Sequence, residues 1–333
     1  MFQRIRDVWK RPARAEGGPV VELLGAPDDR GVENVGGRTG ARQGPALVRE
    51  TLGGLYLGLD GALTRVQLRR GVDVPLGRTI EIAHERMRRL VADRLARGIT
   101  PLLLGGGNDY GYPHVAGAAD AFDGRVALVN VDAHLDVRPT VPHGITSGSP
   151  FYLALEERVV KAADFVELGI QEHCNDASLF EYVRSRGVRV ITLDEARRAP
   201  GGPAALFARL LRQFGRRGLR VVVSFDVDGV QMAHAPGVSA PQSDGFTATD
   251  FLAMAAAAGA EPAVATVGFF EMAPALDLNG QTTRLVATAV HRYLSAMARR
   301  GGASPSPPGG RRGGPGSRRG RAPGGAGRSG ASG

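Results

Sequence analysis

Short apolar runs alternate along this chain with longer stretches in which apolar positions recur every three or four residues. Most of the short runs are apolar throughout, which is typical of strands covered on both faces of a sheet. Their alternation with helical patterns predicts βαβ units and a mainly parallel sheet. The predicted strands are 19–25, 100–105, 125–132, 164–170, 188–193, 220–226 and 263–271.

Helical patterns fill the intervals between these runs. Together they predict the α/β class, as a three-layer α/β/α sandwich around a mainly parallel, doubly wound sheet. We expect one domain over residues 1–300, with ligands bound beyond the carboxyl ends of the strands. The predicted helices are 78–98, 176–187, 202–218 and 281–300.

The last part of the chain, residues 301–333, has a different composition. It holds six arginines, no acidic residue and almost nothing that could fill a core, so we predict a disordered tail. These arginines supply +6 of the net charge of +9 and leave +3 on residues 1–300, so the folded part is not strongly basic. The tail has no aromatic residue to stack on a base, and we expect a solvated segment rather than a nucleic-acid-binding one.

The sequence favours a cytoplasmic location. It has no run of 18 apolar residues, which argues against a membrane span. Cys174 is the only cysteine, so no internal disulfide can form and a reducing compartment fits. Near the N-terminus, Phe2, Ile5 and Trp9 are spaced as a helical stripe. We expect a short helix packed on its own domain or on a neighbouring subunit, rather than a peripheral membrane helix.

Titratable side chains lie at the ends of two of the predicted strands. Positions i, i+2 and i+4 of an extended chain share one face, so such side chains can converge if the strand continues, or curls slightly, past its apolar part. The residues are Asp132, His134 and Asp136 at the end of one strand, and Asp226 and Asp228 at the end of the other.

Four carboxylates in one crevice would repel each other, and their pKa values would rise unless cations neutralised them. Carboxylate and imidazole ligands suit Mn²⁺ or a similar cation. The carboxylates could bridge two ions about 4 Å apart, with a bridging hydroxide as nucleophile. An aspartate at a strand end can also be a helix cap or a turn former, but two such clusters favour a metal site.

The stretches "VDAHLDVRP" and "SFDVDG" resemble the two metal signatures of the ureohydrolase (arginase and agmatinase) superfamily, whose members hydrolyse guanidino or amidino C–N bonds with a dinuclear manganese centre. The resemblance covers about residues 20–295 and implies an arginase-like fold, a homo-oligomer (trimer or hexamer) and a place in histidine degradation. Other stretches resemble its formimidoylglutamase branch: "GVENVGGRTGARQGP" (31–45), "TSGSPF" (146–151), "GIQEHCNDASLF" (169–180) and "APGVSAP" (235–241).

The resemblance implies a role for each clustered residue. Asp132 and Asp226 would bridge the two Mn²⁺ ions. Asp136 would bind one ion and hold the hydroxide, while His134 and Asp228 would bind the other ion.

For the substrate, Glu271 in "GFFEMAP" matches the acid that receives the cationic amidine or guanidine. A carboxylate can accept two N–H bonds from such a planar cation, although a glutamate at a strand end can also serve only in a salt bridge. Arg138 is the preferred partner for substrate carboxylates, and Arg38 and Arg42 are further candidates.

The chain departs from the family pattern at Asn108 in "LLLGGGNDYGYP", where the family has a ligand histidine. An amide oxygen is a weaker ligand than imidazole, so one ion would be held less tightly. The protein could hold two ions through Asn108, use one ion, or be inactive. Asp109 or His114 could substitute for the missing histidine.

A second departure concerns proton transfer. Arginases carry a histidine at the position of Ser147, which here belongs to an "SGSPF" form typical of formimidoylglutamases. His143, four residues earlier, could reach the site as a catalytic residue, or could be only an exposed loop residue.

We therefore hypothesise a manganese-dependent hydrolase that converts N-formimidoyl-L-glutamate and water to L-glutamate and formamide. Metal-bound hydroxide would attack the amidine carbon, and Asp136 would pass a proton to the leaving amine. The first alternative is a guanidino hydrolase that releases urea from arginine, agmatine or guanidinobutyrate. The second is a metal-poor, non-catalytic member that binds a ligand or partner.

Overall fold

The computed structural model describes residues 3–9 and 18–300. Within these residues, eight strands form one sheet in which every neighbouring pair is parallel. The strands are β1 (Val20–Gly25), β2 (Gln67–Arg69), β3 (Ile99–Leu104), β4 (Val126–Val131), β5 (Phe165–Ile170), β6 (Arg189–Thr192), β7 (Arg220–Asp226) and β8 (Val264–Phe270). Their order across the sheet is β2-β1-β3-β8-β7-β4-β5-β6.

Helices cover both faces of the sheet and complete the predicted α/β/α sandwich. The helices are α1 (Ile5–Trp9), α2 (Arg30–Asn34), α3 (Gly44–Gly54), α4 (Ile80–Ala96), α5 (Gly111–Ala121), α6 (Pro150–Glu156), α7 (Ala177–Arg186), α8 (Leu193–Arg198), α9 (Gly202–Arg216), α10 (Ala248–Ala260) and α11 (Gln281–Arg299). One face of the sheet packs on α3, α9, α10 and α11, and the other on α4, α5 and α6.

All seven predicted strands and all four predicted helices are present, with ends shifted by at most two residues. The strand that the sequence pattern missed is β2. It has three residues, two of them polar, and it forms one edge of the sheet. Such a short and polar segment carries little of the apolar signal that identifies buried strands.

The core between the sheet and the last two long helices depends on close packing. Phe225 of β7 and Phe269 of β8 are stacked with ring centroids 5.1 Å apart. Beneath them α10 is rich in alanine, and a Cβ at Gly259 would lie 2.2 Å from the carbonyl oxygen of Tyr293 in α11. The small residues of α10 therefore let the two helices approach closely.

The predicted N-terminal helix is present over Ile5–Trp9 and packs on its own domain. Ile5 is fully buried, and its backbone N–H donates to the carbonyl oxygen of Leu55 at 2.9 Å. Phe2 and the predicted tail 301–333 lie outside the described residues. Across the part of the chain that is described, no helix is long and apolar enough to cross a membrane.

Candidate metal centre

Four adjacent strands of the sheet, β3, β8, β7 and β4, end at the same edge because they are parallel. Asn108 lies in the turn after β3, Glu271 directly follows β8, Asp226 is the last residue of β7, and Asp132 directly follows β4. Val131 of β4 is the register partner of the β7 residue before Asp226. The sheet therefore brings these four polar side chains to one place.

The loop after β4 reaches the site by curling, not by continuing as a strand. The strand ends at Val131, and the backbone of Asp136 is left-handed, with φ 46°. Asp132 Oδ1 accepts a 2.7 Å hydrogen bond from the backbone N–H of His134, so the chain turns directly after the strand. The expected convergence is therefore present, but side-chain alternation along an extended strand is not its cause.

Two groups of titratable side chains, counted over residues 3–9 and 18–300, could each hold a metal ion. In each group the ligand atoms lie within 4.8 Å of one another, and Asp132 belongs to both. Nδ1 of His134 lies 3.5 Å from Asp132 Oδ1 and 3.3 Å from Asp228 Oδ1. The groups are Asp132, His134 and Asp228, and Asp132, Asp136 and Asp226.

The electrostatics of this cluster are unfavourable without a cation. Burial and the neighbouring carboxylate of Asp228 raise the pKa of Asp226 well above its usual value. Burial and Asp132 do the same to the pKa of Asp136. Burial alone would lower the pKa of His134, but the carboxylates of Asp228 and Asp132 raise it well above normal. A divalent cation would remove the penalty of ionising these groups together.

Asn108 lies between the carboxylates, at the position predicted for a weakened ligand. Its side chain is fully buried, and Nδ2 donates to Asp136 Oδ2 at 2.7 Å and to Asp132 Oδ2 at 3.5 Å. Its Oδ1 is buried with no hydrogen-bond partner among the residues described. The backbone N–H of Asn108 donates to Glu271 Oε1 at 2.8 Å, which fixes that carboxyl beside the cluster.

The two residues considered as replacements for the missing histidine have other partners. Asp109 Oδ2 lies 2.7 Å from Nε2 of His84, and Asp109 belongs to neither candidate metal group. His114 is fully buried on α5, with Nε2 2.8 Å from Thr266 Oγ1, and burial lowers its pKa to about 3. The structure therefore brings Asn108 to the cluster, and neither alternative.

A cleft of about 270 Å³ opens above the cluster. Arg138 and Ser147 line it, as do four of the candidate ligands and Glu271. Arg38 also lines it, with Nε donating to the carbonyl oxygen of Ser239 at 2.9 Å.

Two predicted candidates are elsewhere. Arg42 forms an ion pair with the buried Asp29 at 2.8 Å. His143 is exposed and lies outside the lining of the cleft, so a role in proton transfer stays a prediction.

Polar residues behind the ligands were not predicted from the sequence. Asn130 Nδ2 donates to Asp132 Oδ2 at 3.1 Å, and Gln242 Nε2 lies 3.5 Å from Nε2 of His134. Asn130 interrupts an otherwise apolar strand, which is a signal that a sequence can give. Gln242 carried no comparable signal, because it lies in an irregular loop far along the chain.

Comparison with known proteins identifies this arrangement. The arginase family matches residues 20–296, which include every candidate ligand and Glu271. The chain belongs to the arginase family. Its eight-stranded parallel sheet, counted over the described residues, is the sheet found in solved structures of arginase-fold proteins.

The relatives of this arginase-family chain include formimidoylglutamases. That of Geobacillus kaustophilus is 30% identical over 290 residues, covering 86% of this chain and 87% of the relative. That of Aromatoleum aromaticum is 33% identical over 298 residues, covering 86% and 85%. A crystal structure of Trypanosoma cruzi formiminoglutamase with Mn²⁺ has a TM-score of 0.81 and 32% identity, covering 90% of this chain and 100% of that one.

Proposed function

We propose that this arginase-family protein hydrolyses the amidine C–N bond of N-formimidoyl-L-glutamate to give L-glutamate and formamide. The observation that carries the proposal is the pair of candidate metal groups that share Asp132, next to a cleft that Glu271 and four of the other candidate ligands line. The relatives named formimidoylglutamase support the choice of substrate.

The residues at the cluster fit divalent cations. The donors are carboxylate and imidazole, which suit Mn²⁺, and the T. cruzi relative is described with Mn²⁺. Asn108 Oδ1 is buried and, within residues 3–9 and 18–300, has no hydrogen-bond donor. Asp228 Oδ1 is also buried and lies 3.3 Å from Nδ1 of His134. Bound cations would satisfy such oxygens and would lower the pKa of water enough to supply a nucleophile near neutral pH.

We assign the ligands to two ions. Asp132 and Asp226 would contribute to both sites, Asp136 and Asn108 would hold one ion, and His134 and Asp228 would hold the other. Asp136 Oδ2 already accepts from Asn108 Nδ2, which leaves Oδ1 of Asp136 to take a proton from the attacking water and pass it to the leaving amine.

The walls of the cleft would hold the substrate. Glu271 would accept N–H bonds from the amidinium, and its Oε1 is held in place by the backbone N–H of Asn108. Arg138 and Ser147 face the same cleft and would bind the carboxylates of the glutamate part. A guanidinium matches the geometry of a carboxylate, so Arg138 would favour a substrate with acidic groups over agmatine.

Product analysis tests this proposal against its alternatives. Protein loaded with Mn²⁺ is incubated with N-formimidoyl-L-glutamate and formamide is measured; parallel reactions with arginine, agmatine and guanidinobutyrate are assayed for urea. We expect formamide and no urea, and we expect Asp226→Asn to abolish turnover. Urea release would support a guanidino hydrolase instead. No turnover with any substrate, and less than one Mn²⁺ per chain, would support a non-catalytic member.

We extend the proposal to a cytoplasmic homo-oligomer, a trimer or hexamer, that acts in histidine degradation. Family resemblance supports the assembly, and the single cysteine fits a reducing compartment. Light scattering coupled to size-exclusion chromatography measures the assembly. A monomer in solution would contradict that part of the proposal alone.

A further inference from the structure

A row of buried polar side chains crosses the sheet one step behind the candidate ligands. Asn130 of β4 is the register partner of Glu167 in β5 on one side and of Ser224 in β7 on the other. All three residues are fully buried. Strands covered on both faces are normally apolar at such positions, so these polar residues require a physical reason.

The amide of Asn130 uses both of its hydrogens. Nδ2 donates to Asp132 Oδ2 at 3.1 Å and to Glu167 Oε2 at 3.0 Å. The other oxygen of Asp132, Oδ1, accepts from the backbone N–H of His134 at 2.7 Å. Both oxygens of Asp132 are therefore held from the protein side, and Asp132 is the residue that the two candidate metal groups share.

The surroundings of Glu167 favour its neutral form. Burial raises its pKa well above the usual value, and the hydrogen bond from Asn130 offsets this only in part. Asp132 and Asp136 raise it further by charge repulsion. A neutral carboxyl keeps a carbonyl oxygen that accepts from Asn130, without adding a charge to a cluster that already holds several.

We propose that Glu167 and Asn130 are positioning residues for the metal centre. Glu167 orients the amide of Asn130, and that amide fixes the rotation of the Asp132 carboxylate that both cations share. The inference rests on the proposed function in one respect, namely that Asp132 binds a cation. Partners that orient a ligand in this way commonly change metal affinity by about 10- to 100-fold.

A purely structural role for the row predicts a different pattern. If Glu167 and Asn130 only joined neighbouring strands, their loss would lower the melting temperature of metal-free protein and leave Mn²⁺ affinity unchanged. If they position Asp132, the affinity for Mn²⁺ falls in protein that is still folded. The measurement is calorimetric titration of metal-free protein with Mn²⁺, alongside the melting temperature of the metal-free form.

Three variants decide between these roles. Glu167→Gln keeps an acceptor for Asn130 and is expected to bind Mn²⁺ within about twofold of the unmodified protein, because only the neutral oxygen is needed. Glu167→Leu removes the acceptor and is expected to weaken binding by about tenfold or more. Ser224→Ala is the matched control. Ser224 is a fully buried polar residue of the same row, and within the described part of the chain its hydroxyl forms no hydrogen bond to Asp132 or to Glu167.

Two results would overturn the inference. One is Glu167→Leu binding Mn²⁺ as tightly as the unmodified protein; the other is Glu167→Gln losing as much affinity as Glu167→Leu. If Glu167→Leu does not fold, Asn130→Ser tests the same inference with a smaller change in side-chain volume. Unchanged Mn²⁺ affinity of Asn130→Ser would also overturn the inference. Failure of the unmodified protein to bind Mn²⁺ contradicts the proposed function itself and is distinguishable, because it precedes any effect of the variants.

Discussion

Nδ2 of Asn108 donates a 2.7 Å hydrogen bond to Oδ2 of Asp136. This bond holds the amide with Oδ1 buried and, within the described residues, without a hydrogen-bond donor. An amide oxygen that is already desolvated can bind a cation without losing a protein contact, although it carries no charge. The chain thus supplies a neutral oxygen where the family pattern has imidazole.

This arrangement predicts the effects of two substitutions at Asn108. Asn108→Ala removes the oxygen and should weaken binding of one of two Mn²⁺ ions by on the order of tenfold or more, while the other ion binds as before. Asn108→His supplies a stronger nitrogen ligand and should tighten the same ion. Stepwise affinities from calorimetry check both. Equal affinities in all three proteins would exclude Asn108 from the metal site.

The effect of pH on stability follows from the raised pKa values of the cluster. The carboxyls of Asp226, Asp136 and Glu271 have pKa values well above normal in the folded, metal-free protein, chiefly because of burial. Their protonated forms therefore stabilise the fold below the ordinary carboxyl pKa of about 4, and this stabilisation is lost as pH rises through the raised values.

We therefore expect the melting temperature of metal-free protein to fall as pH rises above this range. Mn²⁺ replaces these protons, so the rise in melting temperature that Mn²⁺ causes should grow with pH. Thermal melts at several pH values, with and without Mn²⁺, measure both trends. Asp226→Asn is the control, because it removes one titrating group and should flatten the metal-free trend. A Mn²⁺ effect that is constant with pH would contradict this prediction.

Glu271 offers a test of substrate binding that leaves the metal ligands intact. Glu271→Gln keeps an oxygen for the backbone N–H of Asn108 but removes the charge that would face an amidinium. Hydrogen bonds to charged groups contribute about 1.5–3 kcal/mol, so kcat/KM should fall by roughly 10- to 100-fold. Mn²⁺ stoichiometry should stay the same, and unchanged kcat/KM would remove Glu271 from the substrate site.

Arg138 tests recognition of the substrate carboxylates. Arg138→Leu should raise KM for N-formimidoyl-L-glutamate by roughly 10- to 100-fold, the loss expected for a charged hydrogen bond, with a smaller change in kcat. Arg212→Leu, at an exposed position of α9 away from the cleft, is the matched control. Steady-state kinetics of both variants check this, and equal KM values would assign the carboxylates to other residues.

Much of this fold was accessible from the sequence because its strands are buried on both faces. Strand β7, "RVVVSFD", contains the apolar run 221–223 and Phe225 and ends at Asp226, so both its extent and the placement of Asp226 follow from the pattern. The strand order β2-β1-β3-β8-β7-β4-β5-β6 cannot be predicted from any local sequence pattern. It depends on which helix crosses which face, and therefore on contacts between residues far apart in the chain.

The candidate site was predictable where its residues lie close together in the sequence. The alternation of Asp132, His134 and Asp136 indicated a cluster, but the left-handed backbone of Asp136 that completes it is a property of the folded loop. The pairing of Asn130 with Glu167 depends on the register of two strands. A single polar residue in an apolar strand can be recognised in the sequence. The residue with which it forms a hydrogen bond cannot.

The most direct test of the account is the number of Mn²⁺ ions that metal-free protein binds at neutral pH, measured by calorimetric titration and checked by elemental analysis after dialysis. We expect two ions per chain, one of them held more weakly through Asn108, and loss of both in Asp226→Asn. Binding of less than one ion per chain, or binding that Asp226→Asn leaves unchanged, would contradict it.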